Sequence, residues 1–112
     1  MSLKSLNHDT LDSCVALTEH LLVDMWASWC GPCQRFSPVF AAAAAVTPDI
    51  TFASFQVDAS PENQEMFASL GFTTVPTLLA FRDGTLVANT SGFLGRADIA
   101  AMVDAIRAVT PR

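Results

Sequence analysis

The chain has 112 residues, of which 51% are hydrophobic and 15% charged, and it carries a formal net charge of −5. That length fits one domain, 1–112, and six Lys and Arg against eleven Asp and Glu argue against a nucleic-acid surface. The uncharged stretch Phe36 to Pro48 is too short to span a bilayer and contains Pro38, so no membrane partner is expected.

From the N-terminus, Met1 to Asp9 shows no apolar core of signal-peptide length, and Leu3 to Leu6 reads as a weak first strand. Asn7 or Asp9 is placed to cap a first helix, with Leu11 and Val15 on its inward face. Cys14 lies beside that stripe and reads as a small, partly buried helix residue. Leu21 to Trp26 is a continuous apolar run broken only by Asp24, which suits a central strand covered on both faces. Trp29-Cys30-Gly31-Pro32-Cys33 then opens a helix running to about Val46, with Pro32 in the first turn, where a missing N–H costs nothing. Pro38 removes a donor inside that helix and is expected to kink it. Ile50 to Val57 is a second strong strand. Ser60 and Pro61 start a helix that turns Met66, Phe67 and Leu70 inward and stops at Gly71. Leu78, Leu79 and Phe81 form a strand, Asp83-Gly84 a two-residue hairpin turn, and Leu86 to Thr90 the returning strand. Gly95 serves as N-cap of a last helix, with Asp98 in its first turn and Ile99, Met102, Val103 and Ile106 as its core stripe. This order predicts parallel strands joined by right-handed crossovers, followed by an antiparallel hairpin.

Cys30 and Cys33 carry the chemistry. Three residues apart at a helix start, their Cβ atoms lie about 5–6 Å from each other, so dithiol and disulfide interconvert with little backbone movement. Helix N–H groups and the helix dipole favour a thiolate at Cys30, the species that attacks a disulfide. Cys30 therefore reads as the more exposed, attacking thiol, and Cys33 as the resolving one. A tetrahedral metal site would have to draw its other ligands from Cys14, His8 and His20, which lack paired spacing; no metal is expected. Three cysteines used in this way point to a reducing compartment. Asp24 is a carboxylate inside an apolar strand, costly unless paired or neutral. Trp29, beside Cys30, reads as docking surface, and Trp26 as core.

The WCGPC segment and its flanks resemble the thioredoxin family over nearly the whole chain, from about Leu3 to Val109. The resemblance implies an α/β fold with a central five-stranded mixed sheet flanked by helices on both faces. It implies a thiol–disulfide oxidoreductase that reduces protein disulfides, Gly31-Pro32 being the insert of reducing members. Asp24 matches the family's buried acid, with a proton-transfer role at Cys33. Thr74-Val75-Pro76-Thr77 matches a cis-proline segment that packs on the cysteines and offers its backbone to substrate. Gly92 matches a small residue beside the substrate groove, which Trp29, Gly31, Pro32, Val75 and Pro76 also line. No cofactor would be bound; electrons would come from NADPH through a flavin-dependent thioredoxin reductase. A cytoplasmic monomer acting on disulfide-containing proteins is expected. The alternatives are a non-catalytic thioredoxin-fold binding subunit and a partner-specific or glutathione-dependent reductase. Two positions depart from the family. Ser54 stands where a lysine often faces the buried acid, and Gln34-Arg35 follows Cys33, where a lysine is common first.

Overall fold

The computed structural model describes residues 3–108; the two terminal residues before them, and Val109 with the three after it, lie outside the described residues. The elements are β1 (Lys4–Leu6), α1 (Leu11–Leu17), β2 (His20–Trp26), α2 (Gly31–Ala45), β3 (Thr51–Gln56), α3 (Pro61–Ser69), β4 (Thr77–Arg82), β5 (Thr85–Ser91) and α4 (Arg96–Ala108), with a short 3₁₀ turn at Val57–Ala59. The strands form one five-stranded mixed sheet in the order β1-β3-β2-β4-β5. β1 and β2 run parallel to β3, while β4 runs antiparallel to both β2 and β5.

The middle strand is β2, and its apolar run explains why. Leu21, Leu22, Val23 and Met25 are fully buried, as a strand sandwiched between two helical layers requires. Side chains alternate across the sheet. Leu21, Val23 and Met25 join Phe55, Phe67, Leu79 and Phe81 in one core cluster. Leu22 turns the other way, into a cluster with Phe36 and Phe40 of α2 and Ile99, Val103 and Ile106 of α4. Phe40 sits at its centre, its ring centroid 5.0 Å from Phe52 and 5.8 Å from Phe36. The hairpin turn is as expected: Asp83 and Gly84 both have positive φ, 53° and 84°, the pair of left-handed residues that suits a right-twisted hairpin. Gly95 caps α4 reciprocally, its N–H donating to Asp98 Oδ2 at 2.8 Å while its carbonyl accepts from the Asp98 N–H.

Three local expectations are corrected. Neither Asn7 nor Asp9 caps α1: Thr10 occupies the cap position without a side-chain cap bond, because the Asn7 side chain accepts from the Asp9 N–H instead. Leu70 does not point inward and is 42% exposed, since α3 ends at Ser69 before another full turn reaches the sheet. Val57 leaves the strand for the 3₁₀ turn, which starts the loop carrying Asp58. Helix α2 runs unbroken through Pro38.

Candidate active site

Strand β2 ends at Trp26 and α2 begins at Gly31; the short link between them places Cys30 at the helix N-cap. The Cys33 N–H points at the Cys30 sulfur, 3.1 Å away, so one of the otherwise unpaired donors of the helix start is aimed at this atom. The two cysteines are joined as a disulfide with Cα atoms 5.3 Å apart. Both are buried, Cys30 at 4% exposure and Cys33 at 1%, so Cys30 is the more exposed by a narrow margin only. Val75 and the half-buried Trp26 pack against the pair. Trp26 thus lies against the disulfide turn rather than in the sheet core. Trp29, by contrast, is 74% exposed.

The Val75–Pro76 peptide bond is cis, and the Val75 carbonyl oxygen lies 3.7 Å from the Cys30 sulfur. The Pro76 carbonyl accepts from the Gly92 N–H at 3.2 Å, which ties the loop after β5 to the segment facing the disulfide. Gly92 has φ +112°, and a Cβ there would meet nothing within 4 Å. The intramolecular demand for glycine at this point is therefore backbone conformation, not crowding.

Asp24 is 3% exposed. It shares the face of Leu22, which packs under α2, and of Trp26, which packs on the cysteines. Its register neighbours are Ser54 on β3 and Leu78 on β4. Its Oδ1 is buried without a hydrogen-bond partner, so Ser54 lies opposite as expected yet does not supply that oxygen with a bond. Burial alone pushes the Asp24 carboxyl from 3.8 up to about 7, because the charged form loses its hydration and gains no partner.

Sequence reasoning missed a clamp on the other side of the turn. Asp58 Oδ1 accepts from the Ser28 N–H at 3.0 Å and from Gln56 Nε2 at 3.2 Å, and its Oδ2 accepts from the Ser28 hydroxyl. Gln34 Nε2 donates to the Ser28 carbonyl at 2.8 Å. The Ser28 bonds hold the Asp58 carboxyl below the ordinary carboxylate range. Ser28 and Asp58 are 30 residues apart, so no local pattern announces the pair. Among the described residues, no three His, Cys, Asp or Glu side chains group as a metal site, and no helix is long and apolar enough to cross a membrane. A cleft of about 770 Å³ between α2 and α4 contains none of these site residues.

A cysteine pair closed at a helix N-terminus, beside a cis-proline and on a five-stranded mixed sheet, defines a dithiol–disulfide exchange protein. The thioredoxin family model matches residues 2–105. A thioredoxin of Mycoplasma pneumoniae is 34% identical over 101 residues, covering 90% of this chain and 94% of that protein. A mutant thioredoxin from Halobacterium salinarum superimposes with a TM-score of 0.83 at 30% identity, over 98% of this chain and 95% of that one. A chain of the complex of ferredoxin:thioredoxin reductase with thioredoxin f2 shares the fold, with a TM-score of 0.84 and 24% identity over 96% of both chains. This chain belongs to the thioredoxin family and is a thiol–disulfide oxidoreductase acting on protein disulfides.

Proposed function

We propose that the chain works in the reducing direction, with Cys30 as nucleophile and Cys33 as resolving thiol. In the dithiol form the Cys30 thiolate attacks one sulfur of a substrate disulfide. The substrate S–S bond breaks, a mixed disulfide to Cys30 forms, and one substrate thiol leaves with a proton. The Cys33 thiolate then attacks the Cys30 sulfur, the second substrate thiol leaves with a proton, and the Cys30–Cys33 disulfide closes. Two electrons pass from the cysteine pair to the substrate. The observation that carries this assignment is the Cys33 N–H aimed at the Cys30 sulfur, which favours negative charge on that atom rather than on Cys33.

Asp24 serves as the proton store for Cys33. Its carboxyl, pushed up to about 7, holds and releases a proton near neutral pH. Trp29, Gly31, Pro32, Val75, Pro76 and Gly92 form the docking groove for the oxidised polypeptide. The chain acts as one domain, a cytoplasmic monomer without a bound cofactor, and is re-reduced by NADPH through a flavin-dependent thioredoxin reductase. The thioredoxin f2 captured with ferredoxin:thioredoxin reductase names the rival electron source.

Insulin reduction tests the assignment, run with the flavin enzyme and NADPH, with the ferredoxin-linked enzyme, or with glutathione. Turnover only with glutathione would make the chain a glutathione-dependent reductase. Cys33→Ser should trap substrate as a mixed disulfide through Cys30, and Cys30→Ser should trap nothing. Trapping by the opposite variant reverses the roles. A Cys30→Ser/Cys33→Ser double variant with full biological activity would establish the non-catalytic binding subunit instead.

A further inference from the structure

We propose that Phe93 and the cleft beside it select oxidised polypeptides carrying a large apolar side chain next to the reactive disulfide. This rests on the disulfide-reductase reading and adds a specificity determinant to it.

Phe93 is 87% exposed, an unusual position for a phenylalanine held on a short, well-fixed segment. On one side, the Gly92 N–H is bonded to the Pro76 carbonyl, and Ser91 Oγ meets Thr77 Oγ1 at 2.7 Å. On the other, Leu94 packs against the α2–α4 core cluster, and Gly95 is locked to Asp98 as the α4 cap. The ring is thus presented to water by a backbone anchored at both ends. An aromatic side chain on a fixed backbone offers large contact area with only two side-chain torsions to order.

Next to the ring lies a cleft of about 410 Å³ whose walls include Phe93, Leu94, Pro32 and Phe36. Pro32 stands between the two cysteines, so the cleft begins where the disulfide turn ends. Arg35 and Asp98 also line it. The Arg35 guanidinium folds back over the turn, with Nη1 3.7 Å from where a Gly31 Cβ would be.

Three features name the occupant. The cleft shares Pro32 with the redox turn, so a side chain flanking the disulfide being reduced is within its reach. Its volume is at the low end of small-molecule sites, ample for one side chain and its flanking backbone. It offers one cation and one carboxylate. That mixture partners a peptide carbonyl and N–H better than it attracts a ligand of single charge.

The test uses two cyclic peptides that differ only in Phe or Ser beside one disulfide cysteine. Wild-type protein should reduce the Phe peptide with kcat/KM about tenfold higher, the scale of one apolar side chain finding a pocket. Phe93→Ala should bring that ratio close to one, and Phe93→Leu should keep most of it. Leu17→Ala, which removes an exposed apolar side chain from α1, should leave the ratio at its wild-type value. A wild-type ratio near one, a ratio unchanged in Phe93→Ala, or an equal loss in Leu17→Ala overturns the proposal. Wild-type reduction of a small aromatic disulfide is measured alongside. If that proceeds while the peptide ratio is flat, the cleft proposal fails and the redox reading stands. If neither peptide nor small disulfide is reduced, both fail.

Discussion

Replacing Asp24 by Asn should stabilise the protein, and the pH dependence of the gain tests the cause. A buried carboxyl raised from 3.8 to about 7 is more costly to ionise in the folded chain than in the unfolded one by roughly 4 kcal/mol, at ~1.4 kcal/mol per pH unit. The direction follows from proton counting. Between the two values the native state keeps a proton that the unfolded state has lost, so stability falls as pH rises through that window and is level above it. Asn carries no charge and removes this dependence. Its amide adds donors beside an Oδ1 that is already unpartnered, which costs about 1–3 kcal/mol at every pH. The net gain at neutral pH is therefore smaller than the ionisation term. The change in the difference with pH isolates that term, because every other titrating group is common to both proteins. Urea denaturation of the two disulfide forms should show the stability difference growing by roughly 4 kcal/mol from about pH 4 to about pH 8. A difference that stays flat across that range would mean that Asp24 ionises in the native state without penalty, and the desolvation argument would be wrong.

Other substitutions probe separate parts of the molecule. Ser54→Lys places a cation at the register position opposite Asp24 and should lower the Asp24 pKa by roughly one to three pH units; an NMR titration showing no change would mean that the two side chains do not couple. Phe40→Ala should cost about 3–5 kcal/mol in denaturant unfolding, because a fully buried ring in contact with Phe36 and Phe52 leaves a cavity that the helix cannot close. Gly92→Ala should lower stability by about 1–2 kcal/mol through its positive φ, although its methyl has open space; an unchanged melting temperature would show that the loop relaxes freely.

What was legible in the chain follows the range of the interactions involved. Strand β2 announced itself because burial on both faces leaves an apolar run broken only by Asp24, and α4 because Ile99, Met102, Val103 and Ile106 repeat at helical spacing. The Asp83-Gly84 turn and the Cys30–Cys33 spacing are short-range chemistry and could be read directly. Asp24 stood out as a charge where the pattern forbids one. The misreadings lie where local rules compete or end. Asn7 had two backbone partners within reach and satisfied the Asp9 N–H rather than a helix donor. Leu70 sits on a stripe whose last member overshoots the sheet. Asp58 and Ser28 meet only through the fold. Phe93 is a lone aromatic in a loop, with no period to give it a face; its signal was its position, directly after a glycine near the end of a strand.

The environment of Asp24 connects the fold to the chemistry. Leu22 and Leu78 around it are fully buried, the residue opposite is serine, and Oδ1 has no hydrogen-bond partner, so the site does little to stabilise the charged carboxylate. The same surroundings make the folded protein less stable above the unfolded pKa and bring the carboxyl to about 7. A carboxyl left at 3.8 would be ionised at neutral pH and could act there only as a base. One at about 7 is divided between its two forms, so on the proposed assignment it can take a proton from Cys33 in one step and return one in another. The stability cost and the catalytic usefulness thus come from one cause, and no substitution at position 24 should remove the first while keeping the second. Asp24→Asn is accordingly expected to give the more stable protein and the slower reductase. A variant that is both stabilised and fully active across neutral pH would separate the two and take Asp24 out of the mechanism.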